Sequence, residues 1–219
     1  MDRHSFRITD TDIYCITASA FSLGRSNEEV VKQMLEAGIK LIQYREKDFT
    51  MLKKYRECVA IRDLTASCGA CFIVNDDLHL AMAVEADGLH IGQEDLPFEK
   101  AREIAGDKMI IGLSSHAPAQ AEQAVKLGVD YIGVGPLFQT FTKKDVVPPV
   151  GLGYLDYVVK NHHIPFVAIG GIKQGNVADV VKHGATCVAI VTEIVGADDI
   201  GARVRALRSE MSKARGMRL

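Results

Sequence analysis

Tryptophan is absent from this chain of 219 residues, and aromatic residues make up only 6% of it. A core so poor in rings has to be filled by aliphatic side chains, and a hydrophobic content of 47% can supply them. No apolar run approaches the roughly 20 residues that cross a bilayer, so no membrane partner is expected. An excess of basic charge is missing too: 26 Lys and Arg stand against 28 Asp and Glu, a net charge of −2. That excludes a general nucleic-acid surface, and an anionic ligand would have to be met by local cations. Met1-Asp2-Arg3-His4 is followed by no apolar signal segment, so a cytoplasmic address is expected. Five cysteines, an odd number in a chain this long, do not form a disulfide framework. Cys68 and Cys71 make a C-x-x-C with no second pair. It spans a helix end and a strand start, which reads as ordinary thiols in a reducing compartment.

What is present is an alternation. Asp12–Thr17, Leu41–Tyr44, Phe72–Val74, Leu89–Ile91, Met109–Leu113, Tyr131–Val134, Phe166–Ile169 and Cys187–Val191 read as strands. Between them, Ser26 is a plausible N-cap for a stripe of Val30, Val31, Met34 and Leu35. Helical segments follow over Thr50–Ser67, Asp77–Val84, Phe98–Ala105, Pro118–Leu127, Tyr154–Asn161 and Gly175–His183, with a last helix from near Asp198 or Asp199. Gly38, Gly128 and Gly184 each stand between a helix and the next strand, where the left-handed C′ conformation favours glycine. Strands that are nearly continuous in apolar residues predict a parallel sheet covered by helices. The expected fold is α/β, a single-domain (βα)8 TIM barrel over residues 1–219, near the lower size limit of about 200 residues for such barrels. An open doubly wound sheet is the alternative, weakened because no G-x-G-x-x-G follows the first strand.

A barrel of this kind carries its chemistry where the strands end at the C-terminal face. After the second strand, alternation puts Gln43, Arg45 and Lys47 on one face and Ile42, Tyr44 and Glu46 on the other. Cations aimed into a barrel mouth are costly to desolvate without an anion, and a guanidinium fork beside a mobile ammonium suits phosphate. A solvated charged loop is the plainer reading. Asp76 and Asp77 follow the third strand, Glu94 and Asp95 the fourth. Such carboxylates suit Mg²⁺, which takes oxygen ligands and often only one or two protein carboxylates; Asp also caps helices. Ser114 shares parity with Ile110 and Gly112 and can face the mouth, whereas His79, His90 and His116 read as structural or as a cap neighbour. His162 and His163 fall at the opposite end. The longest connection runs from Gly135 past Thr140, Thr142 and Lys143 to Gly151 and Gly153, a composition that suits a mobile flap closing over phosphate. Gly170 and Gly171 after the seventh strand, with Val191 and Thr192 after the eighth, occupy the usual phosphate cup of barrels. Two phosphate-bearing ligands and one metal follow, with ionisation of a diphosphate favoured over acid–base or triad chemistry.

Gln43-Tyr44-Arg45-Glu46-Lys47, Val74-Asn75-Asp76-Asp77, His90-Ile91-Gly92-Gln93-Glu94-Asp95, Gly133-Val134-Gly135-Pro136, Thr140-Phe141-Thr142-Lys143 and Ile169-Gly170-Gly171-Ile172 together resemble the thiamine-phosphate synthase family, in order and over nearly the whole chain. The resemblance implies a (βα)8 barrel and a transferase. Its reaction would join 4-amino-2-methyl-5-(diphosphooxymethyl)pyrimidine to a thiazole phosphate, giving thiamine phosphate and pyrophosphate by Mg²⁺-assisted dissociative displacement. It implies Asp76 and Asp95 as metal ligands, and Gln43, Tyr44, Arg45, Glu46, Lys47, Asn75, Ser114 and Lys143 as contacts to the pyrimidine diphosphate. Arg45, Lys47, Ser114 and Lys143 are the implied catalytic groups. Thr140, Phe141, Thr142, Gly171, Val191 and Thr192 are the implied thiazole-phosphate contacts. Gln139, Phe141, Asp48 and Glu193 depart from the family's usual residues.

The expected partners are these two small molecules, with no nucleic acid or membrane and with room for a homo-oligomer. Three other readings compete. A thiazole tautomerase on the same fold would lack the paired acidic motifs. A non-catalytic pathway sensor would bind the phosphates without releasing pyrophosphate, and a Schiff-base aldolase would use Lys47 or Lys143.

Overall fold

The computed structural model describes residues 6–142 and 147–216. Its elements are β1 (Ile13–Ile16), α1 (Asn27–Glu36), β2 (Leu41–Tyr44), α2 (Met51–Ser67), β3 (Cys71–Asn75), α3 (Leu78–Ala83), β4 (Gly88–Ile91), α4 (Phe98–Ala105), β5 (Ile110–Ser115), α5 (Pro118–Leu127), β6 (Tyr131–Val134), α6 (Gly151–Asn161), β7 (Phe166–Ala168), α7 (Val177–Lys182), β8 (Val188–Ile190), α8 (Thr192–Val195) and α9 (Ile200–Gly216). Single 3₁₀ turns occupy Ile8–Asp10 and Ser19–Phe21. The strands pair in sequence order and in parallel, and β8 returns to β1 with Ile13 opposite Val188 and Cys15 opposite Ile190. The barrel is closed, as the alternation predicts, and the open sheet is excluded.

Closure sorts the apolar strand residues into two cores. Outward-facing Ile42, Tyr44, Phe72, Val74, Leu89 and Ile91 pack beneath the helices. Inward-facing Tyr14, Leu41, Cys71, Ile73, Ile110, Tyr131 and Val167 fill the barrel. Both tyrosines are completely buried. Tyr131 lies so close to β5 that a Cβ at Gly112 would stand 2.1 Å from its Cζ, so only glycine fits there.

Helix ends follow their local chemistry. Ser26 and Glu29 form a reciprocal capping box on α1, Thr50 caps α2, and Gly128 ends α5 in the left-handed region. Arg208 of α9 grips both Asp12 oxygens at 2.7 and 3.1 Å and the Ala37 and Gly38 carbonyls, tying the last helix to the start of β1. Most elements shift by a residue or two from expectation, and three of the differences have a visible cause. β5 runs on to Ser115 because Ser114 and Ser115 pair with Gly133 and Val134, so the ladder and not polarity ends it. α6 begins at Gly151 rather than Tyr154, where Val150 N–H bonds back to the Pro136 carbonyl at 2.8 Å. A short α8 intervenes before α9, which starts after Asp199 accepts from Ala202 N at 2.8 Å.

The cysteines are all free, and burial pushes the Cys71 thiol well above its ordinary pKa. Among the described residues no helix is long and apolar enough to cross a membrane.

Candidate functional site

The C-terminal ends of the strands open on a cavity of about 150 Å³. Its floor is a chain of side chains from five strands. Gln43 Nε2 donates to the Tyr14 hydroxyl at 2.8 Å, and the Tyr14 and Tyr131 hydroxyls are 3.1 Å apart. The Tyr131 hydroxyl lies 2.9 Å from His90 Nδ1, and His90 Nε2 lies 3.0 Å from Ser114 Oγ. An amide N–H can only donate, which sets the polarity from the Gln43 end. Tyr14 then donates to Tyr131, Tyr131 to His90 Nδ1, and His90 Nε2–H to Ser114. Ser114 is left with its own O–H to offer the cavity, and His90 carries its proton on Nε2 by this assignment.

Above the floor the wall is divided. Arg45 and Asn75 line one side, and Pro136, Val147, Val167, Ile169 and Val191 make the other side apolar. The Arg45 backbone N–H is held by buried Thr17 at 2.9 Å, and Arg45 Nε is buried with no hydrogen-bond partner. Burial lowers the Arg45 pKa against the pull of Asp76, Glu46 and Asp48; the guanidinium stays charged but poorly solvated, as suits an anion site.

Two carboxylates meet at the rim. Asp76 follows β3 in the left-handed region, φ +61°, with its N–H bonded to the His90 carbonyl at 2.9 Å. Asp tolerates this conformation at a cost of about 1 kcal/mol, and such strain gathers at functional sites. Asp95 accepts from Gly92 N–H at 2.7 Å. Burial and its contact with Asp76 push the Asp95 carboxyl above its ordinary pKa, against the Gly92 hydrogen bond and the Lys47 charge. Two like charges held together in this way suit a divalent cation. No group of three His, Cys, Asp or Glu side chains assembles among the described residues, and a pair of carboxylates is the donor set that hard Mg²⁺ takes beside substrate oxygens. Lys47 forms an ion pair with Asp76, and Lys54 pairs with Asp77 at 2.8 Å. Asp77 thus sits at the α3 N-cap position without capping it, and Glu94 is exposed.

Residues 13–194 match the family model described as thiamine monophosphate synthase. The thiamine-phosphate synthase of Pelotomaculum thermopropionicum is 63% identical over 94% of each chain. That of Lawsonia intracellularis is 54% identical over 91% of this chain and 92% of its own. The chain belongs to the thiamine-phosphate synthase family. A solved structure of thiamine phosphate pyrophosphorylase from Pyrococcus furiosus superposes with a TM-score of 0.85 at 34% identity, covering 94% of this chain and 98% of that one.

Of the positions that the synthase family suggests, Gln43, Arg45, Asn75, Ser114, Thr140, Thr142 and Val191 line the cavity. Asp76, Asp95 and Lys47 gather at its rim. The Thr140 and Thr142 hydroxyls are 3.1 Å apart. Lys143 lies outside the described residues. Tyr44 and Glu46 do not line the cavity. Tyr44 points under the helices and donates to Glu57 at 2.9 Å. Glu46 accepts from Ser19 N–H, Ser19 Oγ and Asn27 Nδ2 at 2.8, 2.9 and 2.9 Å. Alternation on β2 turns both away from the face that carries Gln43 and Arg45. Phe141 is 83% exposed and directed to solvent between the two threonines. Gly171, at φ +64°, packs its backbone against Phe138 and Gln139, and Thr192 opens α8 without lining the cavity. Glu193 turns to Arg203 at 2.8 Å and leaves the mouth clear.

His90, Tyr14 and Tyr131 are the residues that sequence reasoning missed. For His90 the signal was there: Leu89 and Ile91 face the helices, so the residue between them faces the barrel.

Proposed function

We propose that the chain is a thiamine-phosphate synthase, joining the pyrimidine diphosphate to a thiazole phosphate with release of pyrophosphate. The observation that carries this is the pairing of Asp76 with Asp95 at the mouth of a cavity lined by Arg45, whose buried Nε lacks a hydrogen-bond partner. Asp76 and Asp95 would hold Mg²⁺, which when bound neutralises charge on the diphosphate. Arg45 and Lys47, with Lys143, take up the charge that develops as diphosphate departs with the C–O electron pair, a preorganised contribution worth several kcal/mol. Gln43, Asn75 and the Ser114 hydroxyl orient the aminopyrimidine, whose ring electrons stabilise the methylene cation. The thiazole nitrogen lone pair then forms the new C–N bond. The apolar wall of Val167, Ile169 and Val191 excludes water, so that the cation is captured by thiazole and not hydrolysed. Thr140 and Thr142, whose hydroxyls lie 3.1 Å apart on the cavity wall, would receive the thiazole phosphate.

The test mixes pure protein with both substrates and follows pyrophosphate, with and without EDTA. Metal-dependent release of one pyrophosphate per thiamine phosphate is expected. Binding of both phosphates without release would instead identify a sensor, and thiazole isomerisation without pyrophosphate a tautomerase.

A further inference from the structure

A glutamine carboxamide has an acceptor end and a donor end of nearly the same shape, so what it recognises depends on which end is already held. Gln43 is buried and faces the cavity from β2. One N–H of its Nε2 goes to the Tyr14 hydroxyl at 2.8 Å, whereas its Oε1 accepts from no described residue and is not sealed in the core. Oε1 is therefore the end that meets a ligand. Asn75 is the contrast: it lines the same cavity, its side chain bonds to no described residue, and its amide can turn to suit either kind of partner. Turning Gln43 end for end is not a local event. With Oε1 on Tyr14, the Tyr14 hydroxyl would have to donate to it, Tyr131 to Tyr14, His90 Nδ1–H to Tyr131, and Ser114 Oγ–H to His90 Nε2, across links of 3.1, 2.9 and 3.0 Å. Ser114 would then have no O–H left for the cavity. The two ends are tied, so that an acceptor offered at Gln43 goes with a donor offered at Ser114.

We propose, resting on the pyrimidine reading of the site, that Tyr14, Tyr131 and His90 are positioning residues that select a 4-aminopyrimidine over its 4-oxo counterpart. An amino group at C4 donates to Gln43 Oε1. A 4-oxo ring carries the opposite pattern, a carbonyl oxygen at C4 and a proton on N3, and so sets one acceptor against another. Admitting it costs either that mismatch or, after reversal of the chain, the Ser114 donor. On the scale of one buried polar group left unpaired, the cost is about tenfold to a hundredfold in affinity. Rejecting the oxo ring keeps out a ligand whose carbonyl would release less electron density to the methylene cation.

The test uses 4-amino- and 4-oxo-2-methyl-5-(phosphooxymethyl)pyrimidine as competitive inhibitors of pyrophosphate release, the monophosphate being too poor a leaving group to react. The amino compound should bind the wild type about tenfold to a hundredfold more tightly than the oxo one. Tyr131 bonds to neither Gln43 nor Ser114, yet Tyr131→Phe cuts the chain and frees the Tyr14 hydroxyl to donate to Gln43. It should bring the two inhibition constants within about threefold of each other, and so should Tyr14→Phe. In the wild type saturated with the amino compound, nitrogen-15 spectra should show His90 protonated at Nε2, a readout that needs no variant to fold. Variants that weaken both compounds alike and keep their ratio would show a merely structural role and overturn the proposal. Equal binding of the two compounds to the wild type, or an Nδ1–H tautomer in that complex, would overturn it as well. Failure to release pyrophosphate from the amino diphosphate would remove the pyrimidine reading itself, and the proposal with it.

Discussion

Replacing Glu46 separates a carboxylate that touches substrate from one that holds its neighbours in place. Its two oxygens accept three hydrogen bonds, from Ser19 N–H, Ser19 Oγ and Asn27 Nδ2, and none comes from the cavity. Each bond to a charged acceptor is worth about 1.5–3 kcal/mol. The sum overstates the loss, because half-exposed Ser19 can rehydrate and Asn27 keeps its second carboxylate, Glu57, at 2.8 Å. Glu46→Ala should therefore cost about 2–4 kcal/mol, or about 4–16 °C in Tm for a chain of this size. Arg45 and Lys47 flank Glu46, so freeing it lets both cations drift. A displacement near 1 Å lowers kcat by up to about a hundredfold while the KM for thiazole phosphate stays put. Glu46→Gln keeps an oxygen for Ser19 N–H and Asn27, and its new N–H₂ can donate to Ser19 Oγ. It should retain kcat within about fivefold and most of the Tm, since only the charge on the acceptor is lost. Scanning calorimetry and steady-state pyrophosphate release read both quantities. If the glutamine variant were as inactive as the alanine one while both melted like wild type, the carboxylate would be acting on substrate or metal, and the anchoring role would be wrong.

Asp76→Ala and Asp95→Ala should each lower kcat by about a hundredfold or more, the scale of removing preorganised charge stabilisation, and shift half-saturation to higher Mg²⁺; wild-type rates in both would remove the metal assignment. Asp12 tests the closure of the barrel: burial raises its pKa, but the Arg208 hydrogen bonds and charge outweigh burial and hold it below the ordinary 3.8. The Asp12–Arg208 pair thus contributes stability above about pH 4 that is lost as pH falls through the lowered pKa, so Asp12→Asn should cost about 1–2 kcal/mol at pH 7 for this partly exposed pair. The gap from wild type in urea titrations should narrow below pH 4, and a gap independent of pH would deny the linkage. Nitrogen-15 spectra of His90 should show the Nε2–H tautomer, and Tyr14→Phe, which interrupts the chain between Gln43 and Tyr131, should lose about 1–3 kcal/mol by stranding a buried amide donor. A wild-type Nδ1–H tautomer would reverse the polarity assigned to the chain.

Much of the barrel is legible because its punctuation is local. β2, β6, α4 and α5 match the sequence reading residue for residue, and in α5 Pro118 and Gly128 fix the two ends without help from the rest of the chain. The ends that moved depend on partners remote in sequence, as when β5 continues to Ser115 because Gly133 and Val134 lie beside it. The site divides along the same line. Gln43, Arg45, Ser114 and the acidic pairs are visible as polar residues at strand ends. Tyr14 and Tyr131 are not, because nothing near either one in sequence shows that the barrel brings their hydroxyls to 3.1 Å.

Tyr44 and Glu46 show the reverse case. A contiguous motif suggests five residues acting together, yet a strand shows alternate side chains to opposite faces, and a closed barrel turns that local rule into a global one. Inward parity means cavity, and outward parity means helix. The same rule that sends Tyr44 to Glu57 and Glu46 to Asn27 sends His90 to Ser114. Parity thus separates residues that line the cavity from those that hold them: Gln43 and Arg45 face it, whereas Tyr44 and Glu46 bond to Glu57, Ser19 and Asn27 beside it. A motif read without its parity merges the two roles, and substitution at Glu46 is where they come apart.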